Sequence, residues 1–159
     1  MARSGSVKKR EALPDLVFGD VLLAKFINRS MRNGKKSAAQ KNVYEALSKI
    51  KEKLNQDGLL VFRQAIENVK PQMEVRSRRV GGAAYQVPAP VKGERKESLA
   101  IRWVIQAALK RPNKEYHTFA DKLTAELLDA YNNIGGAIKK KEDTHRMAES
   151  NKAFSHFRW

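Results

Sequence analysis

Cysteine is absent from the 159 residues, which excludes disulfide staples, thiolate nucleophiles and cysteine-ligated zinc fingers. Histidine is scarce: His117, His145 and His156 are the only three. None stands at the H-x-x-x-H or H-E-x-x-H spacing that sets two ligands on one helical face, so no metal and no other cofactor is expected. No apolar run approaches transmembrane length. The opening Met1-Ala2-Arg3-Ser4-Gly5-Ser6 lacks the apolar stretch of a signal peptide. A soluble, cytoplasmic protein with no membrane partner is the expectation. Gly-x-Ser-x-Gly is missing, as are paired acids in an apolar setting, so neither a catalytic residue nor a small-molecule substrate is expected. Gly34-Lys35-Lys36-Ser37 ends like a phosphate-binding loop, but the first glycine of that motif is lacking and a helix precedes it where a strand is needed.

Negative charge is the other shortage. Asp and Glu number 17 against 32 Lys and Arg, leaving a net charge of +15. Charge of this size repels itself and destabilises a compact chain, and a polyanionic partner offsets it. Nucleic acid is the first such partner to consider. The 42% of hydrophobic residues suffices for a core, and a chain of this length folds as one domain that buries roughly 68–70% of its unfolded surface. Residues 1–159 are therefore read as a single domain.

Hydrophobic periodicity predicts a mainly helical fold. Residues 1–14 are a basic arm carrying Arg3, Lys8, Lys9 and Arg10, too polar to bury surface. A first helix is expected from Pro14 or Asp20 to Arg32, with Lys25, Arg29 and Arg32 on one face and a stop at Asn33-Gly34. A second follows from Ser37, and a third from the Asp57 cap to Pro71. Met73 to Val80 and Ala83 to Val87 read as strands of a hairpin turned by Gly81-Gly82. That turn sets Arg76 and Arg78 on the side of Tyr85 and Val87. Prolines 88 and 90 exclude a further strand beside them, so the hairpin should project and lean on a partner. Leu99 to Leu109 is apolar nearly all round and reads as a central, buried helix ended by Pro112. Tyr116, Phe119, Leu123 and Leu127 mark an amphipathic helix whose other face is acidic (Asp121, Glu126, Asp129). A last helix carries Lys139, Lys140 and Lys141, expected to face solvent, and residues 150–159 form a tail. The fold class is a bundle of about six helices with a protruding β-hairpin between the third and fourth.

Basic residues cluster where the core needs little. Between Val21 and Tyr44 stand Lys25, Arg29, Arg32, Lys35, Lys36 and Lys41 with no acid. A helix–turn–helix corner here gathers cations and helix N–H groups, which suits phosphate. Arg76, Arg78 and Arg79 beside Tyr85 combine arginine forks with a stacking platform. Lys92, Arg95 and Lys96, then Lys110, Arg111 and Lys114, flank the fourth helix and extend the surface. A solvated charged face accounts for any one cluster alone; their agreement favours nucleic acid. No helix pair offers a clean base-reading recognition helix, so RNA is preferred over the alternative of an architectural DNA-binding protein.

Three stretches carry a family resemblance. They are Met31-Arg32-Asn33-Gly34-Lys35-Lys36-Ser37, the hairpin run Glu74 to Pro88 (EVRSRRVGGAAYQVP), and Gly135 to Ala148 (GGAIKKKEDTHRMA). In that order they resemble the signatures of the universal S seven family of small-subunit ribosomal proteins, over essentially the whole chain and in its bacterial or organellar form. The resemblance implies a structural constituent of the ribosome, not an enzyme. It implies a primary ribosomal RNA-binding protein that nucleates assembly of the head, in the 3′ major domain, near the tRNA exit site. Implied partners are small-subunit ribosomal RNA, exit-site tRNA and neighbouring ribosomal proteins of the S eleven and S nine families. Carried over by position, the arm, the corner (Lys25, Asn28, Arg32, Lys35, Lys36), the hairpin arginines and Lys114 would contact RNA. Lys9, Arg29, Tyr85, Lys92, Arg95, Lys110 and Arg111 complete the candidate set on charge and position.

Overall fold

Side-chain caps start the helices where short polar residues precede apolar periods. The computed structural model describes residues 12–157. Asp20 Oδ1 accepts hydrogen bonds from the backbone N–H groups of Leu22 (2.6 Å) and Leu23 (3.2 Å), opening α1 (Val21–Ser30). Asp57 opens α3 (Gly58–Val69) in the same way. α5 (Phe119–Tyr131) begins with a capping box in which Thr118 and Asp121 satisfy each other's backbone N–H. Between these lie α2 (Lys36–Leu54), the hairpin β1 (Met73–Val80) and β2 (Ala83–Pro90), and α4 (Glu94–Lys110). After them come α6 (Gly136–Ser150) and a short 3-10 segment, Lys152–Phe157. The mainly helical class and the place of the hairpin are as expected.

Helix α1 stops two residues short of the expected Arg32. Ser30 Oγ donates to the Ile27 carbonyl at 2.9 Å, a local bond that competes with helix continuation, and Met31 is already extended. Asn33 (φ 50°) and Gly34 (φ 74°) then turn left-handed into α2, so Arg32 sits in the corner and does not continue the face of Lys25 and Arg29.

The core joins α1, α2 and α3 through Leu23, Phe26, Ile50, Phe62 and Ile66, all fully buried. Phe26 and Phe62 meet edge to face at 5.2 Å between centroids, the orientation that aromatic quadrupoles favour. α2 and α3 approach closely because position 58 has no side chain. A Cβ there would lie 2.5 Å from the Leu47 carbonyl oxygen.

The central helix is α5, not α4 as expected. No residue of α5 is fully exposed, whereas Arg102, Gln106 and Leu109 leave one stripe of α4 open to solvent. The acidic face predicted for α5 is also covered: Glu126 is 1% exposed. Its neighbours supply the partners, which a helical period cannot show.

The hairpin has the predicted register, with Arg76 opposite Val87 and Arg78 opposite Tyr85. Gly81 (φ 56°) and Gly82 (φ 88°) both adopt positive φ, as a two-residue turn that follows strand twist requires. β2 continues past Val87, so Pro88 and Pro90 pair opposite Val75 and Met73. This is a two-stranded sheet, which leaves prolines an edge where no N–H is demanded. Its base does not stand free. Val87 and Pro88 are buried, and Gln72 N–H donates to His145 Nε2 of α6 at 3.0 Å. Tyr85 packs on Phe154 and Phe157 of the 3-10 segment at 5.3 and 5.2 Å. The tip is exposed.

Candidate nucleic-acid interface

Many acids are consumed inside the fold. Arg63 Nε reaches Asp20 at 2.5 Å. Burial pushes that carboxyl up, but the Arg63 hydrogen bond and the N–H groups of Leu23 and Leu22 outweigh it and hold the acid below its usual range. Lys49 bridges Asp121 (2.6 Å) and Glu45 (2.7 Å). The Lys49 and Thr118 hydrogen bonds pull Asp121 down to about 2. Glu74, buried at the hairpin base, receives Arg76 at 2.6 Å and Arg95 at 2.8 Å. Lys25 pairs with Glu97 at 3.2 Å.

The most enclosed of these joints unites α4, α5 and α6. Arg111 bonds Glu126 at 2.7 Å and also engages Asp129. The other oxygen of Glu126 accepts the Ala137 N–H at 2.9 Å. Burial works against the charged guanidinium, but bonds to Asp129 and Glu126 keep it more firmly protonated than usual. Lys122 closes the joint by donating to the Arg111 carbonyl at 2.7 Å, satisfying the negative end of α4.

What remains is a surplus of cations. Arg29, Arg32, Lys35, Lys36, Arg78, Arg79, Lys92, Lys110 and Lys114 are exposed. None makes an ion pair among the described residues. Two groups form at opposite ends of α4. At its N-terminal end, Arg76, Arg78, Lys92 and Arg95 line an open groove of about 440 Å³. Arg76 and Arg95 hold Glu74, yet their side chains remain 50% and 53% exposed, and an arginine has five N–H donors to share. At the other end, Arg32 and Lys35 border a cleft walled by Ile105 and Leu109, with Lys110 next in the chain. A helix of 17 residues separates the two by roughly 25 Å.

Arg102 joins them and was not among the candidates. Arg95 lines the groove and Leu109 the cleft. Arg102 lies seven residues from each, so the three share a face. It is exposed, and the seven-residue spacing was the available signal, hidden in a helix read as apolar all round.

Several candidates are placed otherwise than expected. Arg111 has a 16% exposed side chain committed to two acids, so it leaves the candidate surface for a structural role. Tyr85 is half-buried against the tail and offers no free platform. Lys141 is half-buried and its Nζ donates to the Asn68 carbonyl at 2.6 Å; Lys139 and Lys140 are exposed. Arg79 projects from the opposite hairpin face to Arg76 and Arg78. Asn28 is exposed on α1 beside Arg29. Arg3, Lys8, Lys9 and Arg10 lie outside the described residues. Among the described residues no helix is long and apolar enough to cross a membrane, and no cluster of His, Asp and Glu could hold a metal.

The chain is similar throughout to known proteins. It is 58% identical to the small ribosomal subunit protein uS7 of Methylocella silvestris, over 159 residues that cover both chains fully. The proteins of that name from Beijerinckia indica and Rhodospirillum rubrum are 57% and 56% identical, again over the full length of both chains. A family model described as "Ribosomal protein S7p/S5e" matches residues 2–152. With a family model and full-length relatives spanning nearly every residue, the chain belongs to the ribosomal protein S7p/S5e family, whose members are structural proteins of the ribosome and not enzymes.

Proposed function

We propose that this small-subunit ribosomal protein is a primary binder of ribosomal RNA that nucleates the head, in the 3′ major domain. The observation that carries this is the sorting of charge. Many acids are paired within the fold, while cations with no ion pair among the described residues gather at both ends of α4 and on the hairpin. Phosphates neutralised by these side chains release counterions, which supplies affinity without a base-reading helix.

In this reading residues 1–159 act as one RNA-binding domain with an arm (1–14), a hairpin (73–90) and a tail (150–159). Asn28, Arg29, Arg32, Lys35 and Lys36 take one stretch of backbone. Arg76, Arg78, Arg79, Lys92 and Arg95 take a second, and Lys110 and Lys114 flank the first. Lys25 contributes less, since Glu97 already holds it. Arg3, Lys8, Lys9 and Arg10 are included on sequence grounds alone. The exposed hairpin tip and the tail packed on Tyr85 form one edge. We assign to that edge the approach to exit-site tRNA and to neighbouring proteins of the S eleven and S nine families.

The test is salt-dependent binding to a 3′ major domain RNA fragment, with duplex DNA and unrelated RNA as competitors. Retention of the fragment against both, with a steep negative log–log salt slope, is the expected result. Equal binding to all three would overturn it in favour of an architectural DNA-binding protein.

A further inference from the structure

The cleft at the C-terminal end of α4 differs in chemistry from the groove at the other end. Its volume is about 260 Å³, and its floor is apolar: Ala38 and Ala39 of α2, Ile105 and Leu109 of α4, and Phe119 of α5. Ile105 and Ala39 are nearly buried, whereas Leu109 is 38% exposed. Water gains nothing from such a floor, and an apolar surface there removes unfavourable hydration. The rim is polar. Arg32 and Lys35 stand on it together with Asn42, whose side-chain amide has no hydrogen-bond partner among the described residues. No lining residue is acidic.

An occupant matched to this site has a flat apolar face, a hydrogen-bonding edge and an attached negative charge. We propose that the cleft receives one unstacked nucleobase of the RNA, with its flanking phosphate on Arg32 and Lys35. The inference rests on the RNA-binding function proposed above. The base lies against Phe119 and the aliphatic floor, as bases of single-stranded RNA do on apolar and aromatic side chains. Asn42 offers both a donor and an acceptor to the base edge. The volume falls below the roughly 300–1,000 Å³ of sites for whole small ligands, which fits one base and not a free cofactor. Two rim cations and the acid-free stretch from Val21 to Tyr44 oppose a basic protein segment as occupant.

The test uses the full chain and a 3′ major domain RNA fragment carrying one abasic nucleotide at a time through its unpaired positions. For the wild type, one abasic position should lower affinity about tenfold, the scale of losing one stacked base. Ala38→Trp fills the cleft from an exposed helix position. It should weaken binding of intact RNA by a similar factor while leaving the salt slope unchanged, because no phosphate contact is lost. In that variant the abasic penalty should vanish. Leu109→Ser, also at a partly exposed position, gives a second variant should the tryptophan disturb folding. Wild-type affinity in both variants, or an abasic penalty that persists in them, overturns the proposal while the RNA-binding reading stands. A wild type that does not prefer the fragment to duplex DNA overturns both.

Discussion

At the junction of α4, α5 and α6, Arg111 has a 16% exposed side chain and holds two acids. At the hairpin tip, Arg78 and Arg79 are exposed and have no acid partner among the described residues. Both regions concentrate arginine, but the desolvation cost falls differently. At the joint that cost has been met during folding, and the charge is locked by Glu126 and Asp129. At the tip the guanidinium groups keep their hydration until a partner arrives. Net charge therefore understates the separation of tasks: paired arginine shapes the core, and unpaired arginine is offered outward.

The largest effect expected from breaking the comparison is on stability. Arg111→Ala strands Glu126, 1% exposed, as a buried unpaired carboxylate, and should cost about 3–5 kcal/mol in urea denaturation. A loss within about 0.5 kcal/mol, as at an ordinary surface site, would show the joint to be solvated. The tip should behave oppositely. Arg78→Ala with Arg79→Ala should leave the melting curve unmoved and make the log–log salt slope for RNA shallower by about 2. A lowered melting temperature with an unchanged slope would reverse the two roles.

Smaller effects sharpen the contrast through pH. Asp121 is held at about 2 against an ordinary 3.8. The stability it contributes is complete above the ordinary value and is lost as pH falls from there through about 2. Thermal melts between pH 5 and 2 should show a steeper decline for the wild type than for Asp121→Asn; parallel curves would contradict the pairing with Lys49. The effect should be modest because both partners are about one-third exposed. His145 is shifted below 6.5, by burial first and then by the charge of Lys141. The fold takes up that proton at lower pH than the unfolded chain does, so stability falls as pH drops below 6.5 toward the folded value. His145→Asn should flatten that small slope, and a slope equal to that of the wild type would show that the Gln72–His145 contact carries no linkage.

Local signals in the sequence revealed most of this architecture. Gly81-Gly82 sets the hairpin register, and with it the common side of Arg76, Arg78, Tyr85 and Val87. Asp20 and Asp57 start their helices. What escaped depends on distant partners. Lys49 meets Asp121 across 72 positions. Tyr85 meets Phe154 and Phe157 only after the chain returns. The sequence therefore shows the acidic residues of α5 without their partners, and Tyr85 as a stacking platform without the tail that packs on it. The end of α1 was misplaced for a local reason, the Ser30 bond to Ile27. Of the candidate site, the corner cations were legible because no acid accompanies them, and the hairpin arginines because their segment has little core to serve. Arg102 was not, because its function follows from what lies at either end of α4.

The central claim is that unpaired cations at the two ends of α4 and on the hairpin bind RNA phosphates. Its most direct test is the salt slope of binding to a 3′ major domain fragment for the wild type and for a variant carrying Arg32→Ala, Lys35→Ala, Arg78→Ala and Arg79→Ala. Four lost phosphate contacts should make the slope shallower by about 4, with the thermal transition unchanged. An equal slope for both proteins would contradict the account.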